Sequence, residues 1–263
     1  MAKAIMAVGA HADDIELNAG GTLLKYRDLG CRVVYVMATN NMAGCWSEVQ
    51  PCGNVAVTRP GTLAMMARRK AEAAAGAKAL GTEPVHLDHP QRHYNAEGER
   101  LCEVRYGSPL PDGVPPEVPT ILTAHEWPES RRPLLDLILE HRPAWILTHS
   151  MAQLDMEHLG TSLLVTKAYQ DAAKAGVGGG LLHWREGFTC LGELNTKWDV
   201  SVDISAYLER KIELIALHQC QMPKPHRPDF PPWQRALAWG QACGCRAAEV
   251  YALVAPGQAE LLR

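Results

Sequence analysis

The amino-terminal part of the chain alternates short apolar runs with an amphipathic stretch. AIMAVGA at 4–10 and CRVVYVMAT at 31–39 have the length and apolar character of buried strands. Between them, GTLLKYRDLG at 21–30 predicts a helix that ends at a glycine. A strand, a helix and a second strand in this order predict two parallel strands joined by a crossover helix.

The same alternation continues towards the carboxyl terminus. The further predicted helices are 63–81, 129–141, 159–176 and 206–221, and the further predicted strands are 84–89, 144–149 and 198–205. No internal repeat and no linker separates these elements. We therefore predict one α/β domain over residues 1–263, with a mostly parallel sheet flanked by helices.

Residues 95–128 interrupt the alternation with repeated prolines and glycines, as in GSPLPDGVPPEVP. This run is too long for an ordinary connection between a strand and a helix. We predict a long loop insertion that passes over one edge of the sheet, where such insertions often border ligand sites.

The composition argues against several classes of protein. Hydrophobic residues make up 47% of the 263 residues, which is enough for a sizeable core. The net charge is −3 and no basic run is longer than Arg68-Arg69-Lys70, so nucleic acid is not an expected partner. The amino-terminal apolar run is too short for a signal peptide, and no window approaches the roughly 20 apolar residues of a membrane span. We expect a cytoplasmic protein that does not bind membranes.

Eight cysteines lie at irregular spacings along the chain. Without a secretion signal, reduced thiols are expected. His218, Cys220, Cys243 and Cys245 could form a structural zinc site, but no C-x-x-C pair supports one.

Histidines and carboxylates follow two of the predicted strands at the point where each strand ends. His11, Asp13 and Asp14 come directly after the first strand, in VGAHADDIELNAGG. His149 closes the AWILTH strand, and DMEH at 155–158 lies just beyond it. Ligands bind outside the carboxyl ends of the strands in open α/β sheets, so we expect the two groups to meet in one crevice.

A histidine, an aspartate three residues later and a distant histidine supply two imidazoles and one carboxylate. These ligands suit a catalytic zinc ion that keeps one position open for water. Of the pair Asp13 and Asp14, the aspartate that is not a ligand would lie beside that water, where a general base is needed. The alternative is that the two aspartates cap the following helix and that His11 only satisfies a turn.

Several motifs match those of a known enzyme family. AHADDIELNAGGT has the form A-H-P/A-D-D-x-E followed by G-G-T. Further landmarks follow in the family's order: Arg69 and Glu72 before Leu-Gly, the segment 142–165, Lys211 with HQCQ at 218–221, and GCRAAEVY at 244–251. The chain thus resembles the LmbE/PIG-L family of zinc-dependent deacetylases.

The resemblance implies a Rossmann-like α/β fold with zinc held by His11, Asp14 and His158 and with Asp13 as the base. It also implies removal of an acetyl group from a small molecule related to N-acetylglucosamine, by an enzyme that is often a homo-oligomer. The family's H-P-D-H is DMEH here, so Asp155 stands where the family has an assisting histidine. We expect Asp155 to be either a protonated acid in the crevice or a solvated loop residue, because an ionised carboxylate cannot donate to an oxyanion.

Three further side chains are candidates for contact with the substrate: Arg69, His149 and His218. Each has an alternative role. Arg69 could pair with Glu72. His149 could be an ordinary buried and hydrogen-bonded histidine, and His218 could pack on the apolar face of its helix.

The same residues allow other functions. A zinc hydratase that adds water to a small unsaturated carboxylate would use the same parts, and the loss of the family's histidine keeps this alternative open. A relative that binds metal or a sugar without turnover is another. Two histidines and a carboxylate also hold Fe²⁺ in oxygenases, although those sites normally lie in β-rich barrels, and the ligand types alone do not separate Zn²⁺ from Fe²⁺. The chain has no G-x-S-x-G, complete P-loop or G-x-G-x-x-G, so neither serine hydrolase chemistry nor a nucleotide cofactor is expected.

Overall fold

A computed structural model describes residues 3–58, 62–91, 119–186 and 197–257 of the chain. Its strands are β1 (Ala4–Gly9), β2 (Arg32–Thr39), β3 (Trp46–Val49), β4 (Val55–Thr58), β5 (Pro84–His89), β6 (Trp145–Thr148), β7 (Gly180–Trp184), β8 (Val200–Asp203) and β9 (Ala248–Ala255). Its helices are α1 (Asp14–Asp28), α2 (Thr62–Ala79), α3 (Pro128–His141), α4 (Met156–Lys174), α5 (Leu208–Ala216) and α6 (Pro231–Cys243), together with a short 3₁₀ helix at Ala124–Glu126.

In the described part of the chain, seven strands form one sheet in the order β5-β2-β1-β6-β7-β9-β8. The strands from β5 to β7 run parallel. At one edge of the sheet, β9 pairs antiparallel with β7 on one side and with β8 on the other. This order confirms the predicted mostly parallel α/β fold. Since β2 lies on one side of β1 and β6 on the other, the carboxyl ends of β1 and β6 form the switch point at which such sheets bind ligands.

The central strands bury both faces, which explains their nearly continuous apolar runs. Side chains alternate between the two faces of β2. Val33, Tyr35 and Met37 belong to a core shared with α1, α2, α5 and α6, whereas Val34 and Val36 belong to a core shared with α3 and α4. Helices therefore cover both faces of the sheet. None of the helices in the described ranges is long and apolar enough to cross a membrane.

Several elements differ from the predicted ones. α1 begins at Asp14, the last residue of the histidine and aspartate motif, whereas the predicted helix begins at residue 21. The sequence analysis did not predict β7, because the glycine-rich stretch GVGGG at 176–180 interrupts the apolar pattern. β7 has the sequence GLLHW and begins at the last glycine of that stretch. The strands β3 and β4 are short and largely exposed, so they carry no buried apolar pattern. α6 and β9 were also not among the predicted elements.

The predicted insertion at 95–128 is described only in part. Residues 95–118 lie outside the described residues. Residues 119–128 contain the 3₁₀ helix and the first residue of α3. The single-domain organisation of residues 1–263 stays a prediction.

A buried ion pair joins the carboxyl-terminal elements to α1. Lys211 on α5 pairs with Glu249 on β9, and both side chains are almost fully buried. The Glu249 carboxylate also accepts from the backbone N–H groups of Gly21 and Thr22 at 3.0 and 2.8 Å. Lys211 Nζ donates to the carbonyl of Leu17 at 2.9 Å. In a regular helix the Gly21 N–H donates to the Leu17 carbonyl. In this structure the same two groups contact the ion pair, which therefore packs directly against one turn of α1.

Glu249→Gln is expected to lower the free energy of unfolding by about 3 kcal/mol, because it leaves the Lys211 ammonium buried without its counter-charge. Urea denaturation of the variant and the unchanged protein measures the difference. Glu209→Gln is the matched control, since Glu209 pairs with Arg246 at the exposed surface and its loss is expected to change stability little. Equal stability of the two variants would contradict a structural role for the buried pair.

Candidate active site

The loop after β1 carries the first group of candidate residues. Asp13 has a φ of 116°, in the left-handed region that is strained for a residue with a Cβ atom. It occupies the N-cap position of α1, but its side chain makes no capping hydrogen bond. The Asp14 carboxylate instead accepts from the backbone N–H of His11 at 2.6 Å. The aspartate pair is therefore not explained as a side-chain cap of the helix.

The side chains of His11, Asp14 and His158 converge at the switch point. His11 Nδ1 lies 3.3 Å from His158 Nε2. The carboxylate oxygens of Asp14 lie 3.5 Å from His11 Nδ1 and 3.4 Å from His158 Nε2. The second nitrogen of each imidazole faces another carboxylate, with His11 Nε2 at 2.6 Å from Glu157 and His158 Nδ1 at 3.0 Å from Glu186.

This arrangement fits a divalent metal ion. An imidazole that donates its proton to a carboxylate through one nitrogen keeps a lone pair on the other. The remaining lone pairs of His11 and His158 then face each other beside the negative charge of Asp14, and a cation is needed to hold them there. Two imidazoles and one carboxylate form a ligand set for zinc and for ferrous iron. His11, Asp14 and His158 could thus hold the metal, as the family resemblance implies.

The charges of this cluster depend on one another. Burial lowers the pKa of His11, but its hydrogen bonds to Asp14 and Glu157 outweigh that effect and raise the pKa to about 9. Burial likewise disfavours the charged form of Glu186, yet the charges of His149 and His158 hold its pKa well below the usual range. The buried carboxylates therefore attract positive charge to the site, whether it comes from protons or from a metal ion.

Glu186, which follows β7, connects two histidines. It accepts short hydrogen bonds from His149 Nδ1 and, at 2.8 Å, from Trp184 Nε1, in addition to its contact with His158. His149 Nε2 accepts from the backbone N–H of Ala10 at 2.9 Å. His149 is fully buried by these contacts, as its alternative role describes, and its direct contact with a substrate stays a prediction.

Asp13 and Arg69 border the same cavity as the three metal donors. Burial raises the pKa of Asp13 to about 6, although the nearby Arg69 charge opposes the shift. Arg69 Nη2 lies 3.4 Å from the Asp13 carboxylate and donates to the carbonyl of Ala12 at 2.7 Å. Glu72 pairs with Arg68, not with Arg69, at 2.8 Å. Within the described residues the buried Nε of Arg69 has no acceptor.

The remaining candidates lie away from the cavity surface. His218 is fully buried, and its Nε2 lies 3.2 Å from the Glu16 carboxylate. Asp155 caps α4, since its carboxylate accepts from the backbone N–H groups of Glu157 and His158 at 2.8 and 3.3 Å. Contact of His218 with a substrate and a catalytic role for Asp155 stay predictions. The candidate metal groups among the described residues contain no cysteine.

The cavity at this site has a volume of about 380 Å³. Its polar lining includes the candidate metal donors, Asp13 and Arg69. Another part of the lining comes from α1, from the loop before α6 and from the first turn of α6. Its apolar members are Leu17, Met222, Phe230, Pro231 and Pro232.

Comparison with known proteins agrees with this geometry. Residues 6–169 match the family described as PIG-L, GlcNAc-PI de-N-acetylase. Because the match covers more than half of the 263 residues, the chain belongs to this de-N-acetylase family, and the predicted resemblance is confirmed. No curated protein shows a significant match to the chain.

Solved structures share the fold at low sequence identity. The N,N'-diacetylchitobiose deacetylase from Pyrococcus horikoshii is 19% identical with a TM-score of 0.65, over 97% of this chain and 84% of that one. A deacetylase of the teicoplanin biosynthesis pathway is 16% identical with a TM-score of 0.68, over 95% and 97% of the two chains. The 4-carboxy-2-hydroxymuconate hydratase from Pseudomonas putida is 16% identical with a TM-score of 0.63, over 97% and 98%. At these identities the likeness shows the fold alone.

Sequence reasoning missed two parts of the site. Glu186 follows the apolar run LLHW, so the rule applied to β1 and β6, an acid just after a buried strand, would have found it. The apolar residues that line the cavity at 230–232 gave no such signal. A proline-rich stretch predicts a loop, and the sequence does not show which residues lie near it in space.

Glu186→Gln is expected to weaken the binding of Zn²⁺ by about 10- to 100-fold, because a neutral amide orients His158 less firmly and lowers its basicity. Competition with a chromophoric chelator measures the affinity. Glu213→Gln is the control, since that carboxylate is exposed and lies outside the site. An unchanged Zn²⁺ affinity in Glu186→Gln would show that this carboxylate does not support the metal donors.

Proposed function

We propose that this protein is a zinc-dependent deacetylase that hydrolyses the acetamide of an N-acetylated, amino-sugar-like small molecule. One observation carries the proposal: the buried carboxylate of Asp13, whose pKa is raised by burial, borders the cavity into which three candidate metal donors converge. A general base is most effective when its pKa lies near the working pH. Membership of the de-N-acetylase family supports the same reaction.

Hydrolysis needs a base, a polarised carbonyl and a proton for the departing amine. A divalent ion held by His11, Asp14 and His158 would activate the water and polarise the acetamide carbonyl. Asp13 accepts one proton from the water as the water oxygen bonds to the carbonyl carbon. When the carbon–nitrogen bond breaks, Asp13 returns this proton to the nitrogen, and the products are acetate and a free amine. Arg69 binds a polar group of the substrate beside Asp13.

A hydratase is the second candidate function, and the position of Asp155 favours keeping it. The carboxylate that replaces the family's assisting histidine accepts hydrogen bonds from two backbone N–H groups of α4 through Oδ1. An ionised carboxylate, unlike an imidazole, offers no hydrogen-bond donor. Addition of water to an activated double bond has no amine to expel and depends less on such a donor.

The function is tested with the purified protein after elemental analysis for zinc and iron. Acetate release is measured across a panel of N-acetylated amino sugars and their glycosides, and loss of ultraviolet absorbance is followed for unsaturated dicarboxylates. Acetate release that stops with a chelator and returns with Zn²⁺ supports the proposal. Consumption of the unsaturated acids without acetate release supports the hydratase, and ligand binding without any turnover supports a non-catalytic relative.

Asp13→Asn is expected to reduce kcat by about 10²- to 10⁴-fold, because it removes the base while keeping the size of the side chain. Zinc content, measured in parallel, is expected to stay the same, since Asp13 is not among the three donors. Turnover at the rate of the unchanged protein would exclude Asp13 as the base.

Asp155→Asn separates a catalytic carboxylate from a helix cap, because asparagine caps a helix as well as aspartate does. If Asp155 acts only as the cap, the variant keeps its thermal stability and its kcat stays within about twofold across the pH range. A catalytic acid at this position predicts instead a fall in kcat and the loss of one limb of the pH profile.

A further inference from the structure

We propose that the substrate carries an apolar group, an aryl or alkyl aglycone, next to its acetylated amine, and that the wall formed by Leu17, Met222, Phe230, Pro231 and Pro232 binds this group. The inference rests on the proposed deacetylase function. It adds the chemical class of the part of the substrate that does not react.

The wall lines the same cavity as the candidate metal donors, Asp13 and Arg69. Leu17 comes from α1, three residues after the metal donor Asp14, and Met222 comes from the loop that follows α5. Phe230 to Pro232 form the start of α6. Leu17, Met222 and Phe230 are half-buried, so part of each side chain faces the cavity. A substrate whose acetamide lies at the candidate metal donors has its neighbouring group within the same cavity, where this wall can contact it.

The wall is poorly suited to hydroxyl groups. The five side chains provide no strong hydrogen-bond donor or acceptor, and the two prolines have no backbone N–H. A sugar hydroxyl buried there would lose its water without a partner, which costs free energy. An apolar group loses nothing and gains from the removal of its surface from water.

The charged residue beside the wall does not change this conclusion. Arg235 also borders the cavity, and its Nη2 donates to the Leu17 carbonyl at 3.0 Å and to Asn18 Oδ1 at 3.2 Å. Its guanidinium also lies over the ring of Trp239, 5.4 Å from the centroid. These contacts hold Arg235 against α1 and α6.

The wall is also preorganised. Prolines at the first positions of α6 have a fixed φ that suits the start of a helix, so this turn needs little reordering when a ligand binds. The Arg235 contacts tie the same helix to α1, and therefore to the segment that carries Asp13 and Asp14. The apolar surface is thus held at a constant position relative to the reacting centre.

The test compares two substrates that differ only in the aglycone, the methyl and phenyl β-glycosides of N-acetylglucosamine. We expect kcat/KM for the phenyl glycoside to be higher by about tenfold or more, the effect of removing a large part of one aromatic ring from water. Phe230→Ala and Met222→Ala are each expected to reduce this ratio to about threefold or less. Phe230→Leu, which keeps the apolar surface, is expected to preserve most of the ratio.

Binding to the Asp13→Asn variant provides a measurement that does not depend on turnover. Isothermal titration with the same two glycosides is expected to give a lower Kd for the phenyl compound, and Phe230→Ala added to Asp13→Asn is expected to remove the difference. Equal Kd values and an equal kcat/KM for both glycosides would overturn the inference while leaving the deacetylase proposal intact. A phenyl preference in binding, together with no acetate release from either compound by the unchanged protein, would contradict the deacetylase proposal and leave the apolar wall supported. Melting temperatures of all variants show whether each one is folded.

Discussion

The site depends on the burial of negative charge at the ends of three neighbouring strands. Asp14 follows β1, Glu157 lies in the first turn of α4 after β6, and Glu186 follows β7. Each carboxylate is almost fully buried, and an isolated buried carboxylate is strongly unfavourable. The imidazoles of His11 and His158 lie between them, so every carboxylate has a positive or hydrogen-bonding partner. A divalent cation bound by the same imidazoles meets the same demand for positive charge.

This balance explains how one loop can serve two roles. Asp14 faces the imidazoles and its pKa is held low, because the charges of His158 and His149 outweigh the effect of burial. Asp13 faces the cavity, where burial raises its pKa. The backbone at Asp13 has a positive φ, and the two adjacent carboxylates lie in different surroundings. Those surroundings are consistent with the proposed roles of Asp14 as a metal ligand and Asp13 as a base.

The carboxyl-terminal helices α5 and α6 lie on the same face of the sheet as α1. The pair of Lys211 and Glu249 anchors α5 and β9 to α1, and Arg235 anchors α6 to the same helix. The family match ends at residue 169, before these elements begin. The candidate metal donors His11, Asp14 and His158 lie within the matched residues, whereas Met222, Phe230, Pro231 and Pro232 of the apolar wall lie beyond them.

The pattern of apolar residues determined the central strands, the helices that cover them and the edge at which polar groups meet, because burial of both sheet faces imposes long apolar runs. The positions of the histidines and acids after two strands predicted a shared crevice, because parallel strands end at one edge. The family resemblance implied His11, Asp14 and His158 as the candidate metal donors. Only the tertiary structure decided which partner each side chain has. Asp155 became a helix cap, Glu186 joined two histidines, and Phe230 came to line the same cavity as Leu17. Such contacts join residues far apart in the chain, and no local pattern records a distance in space.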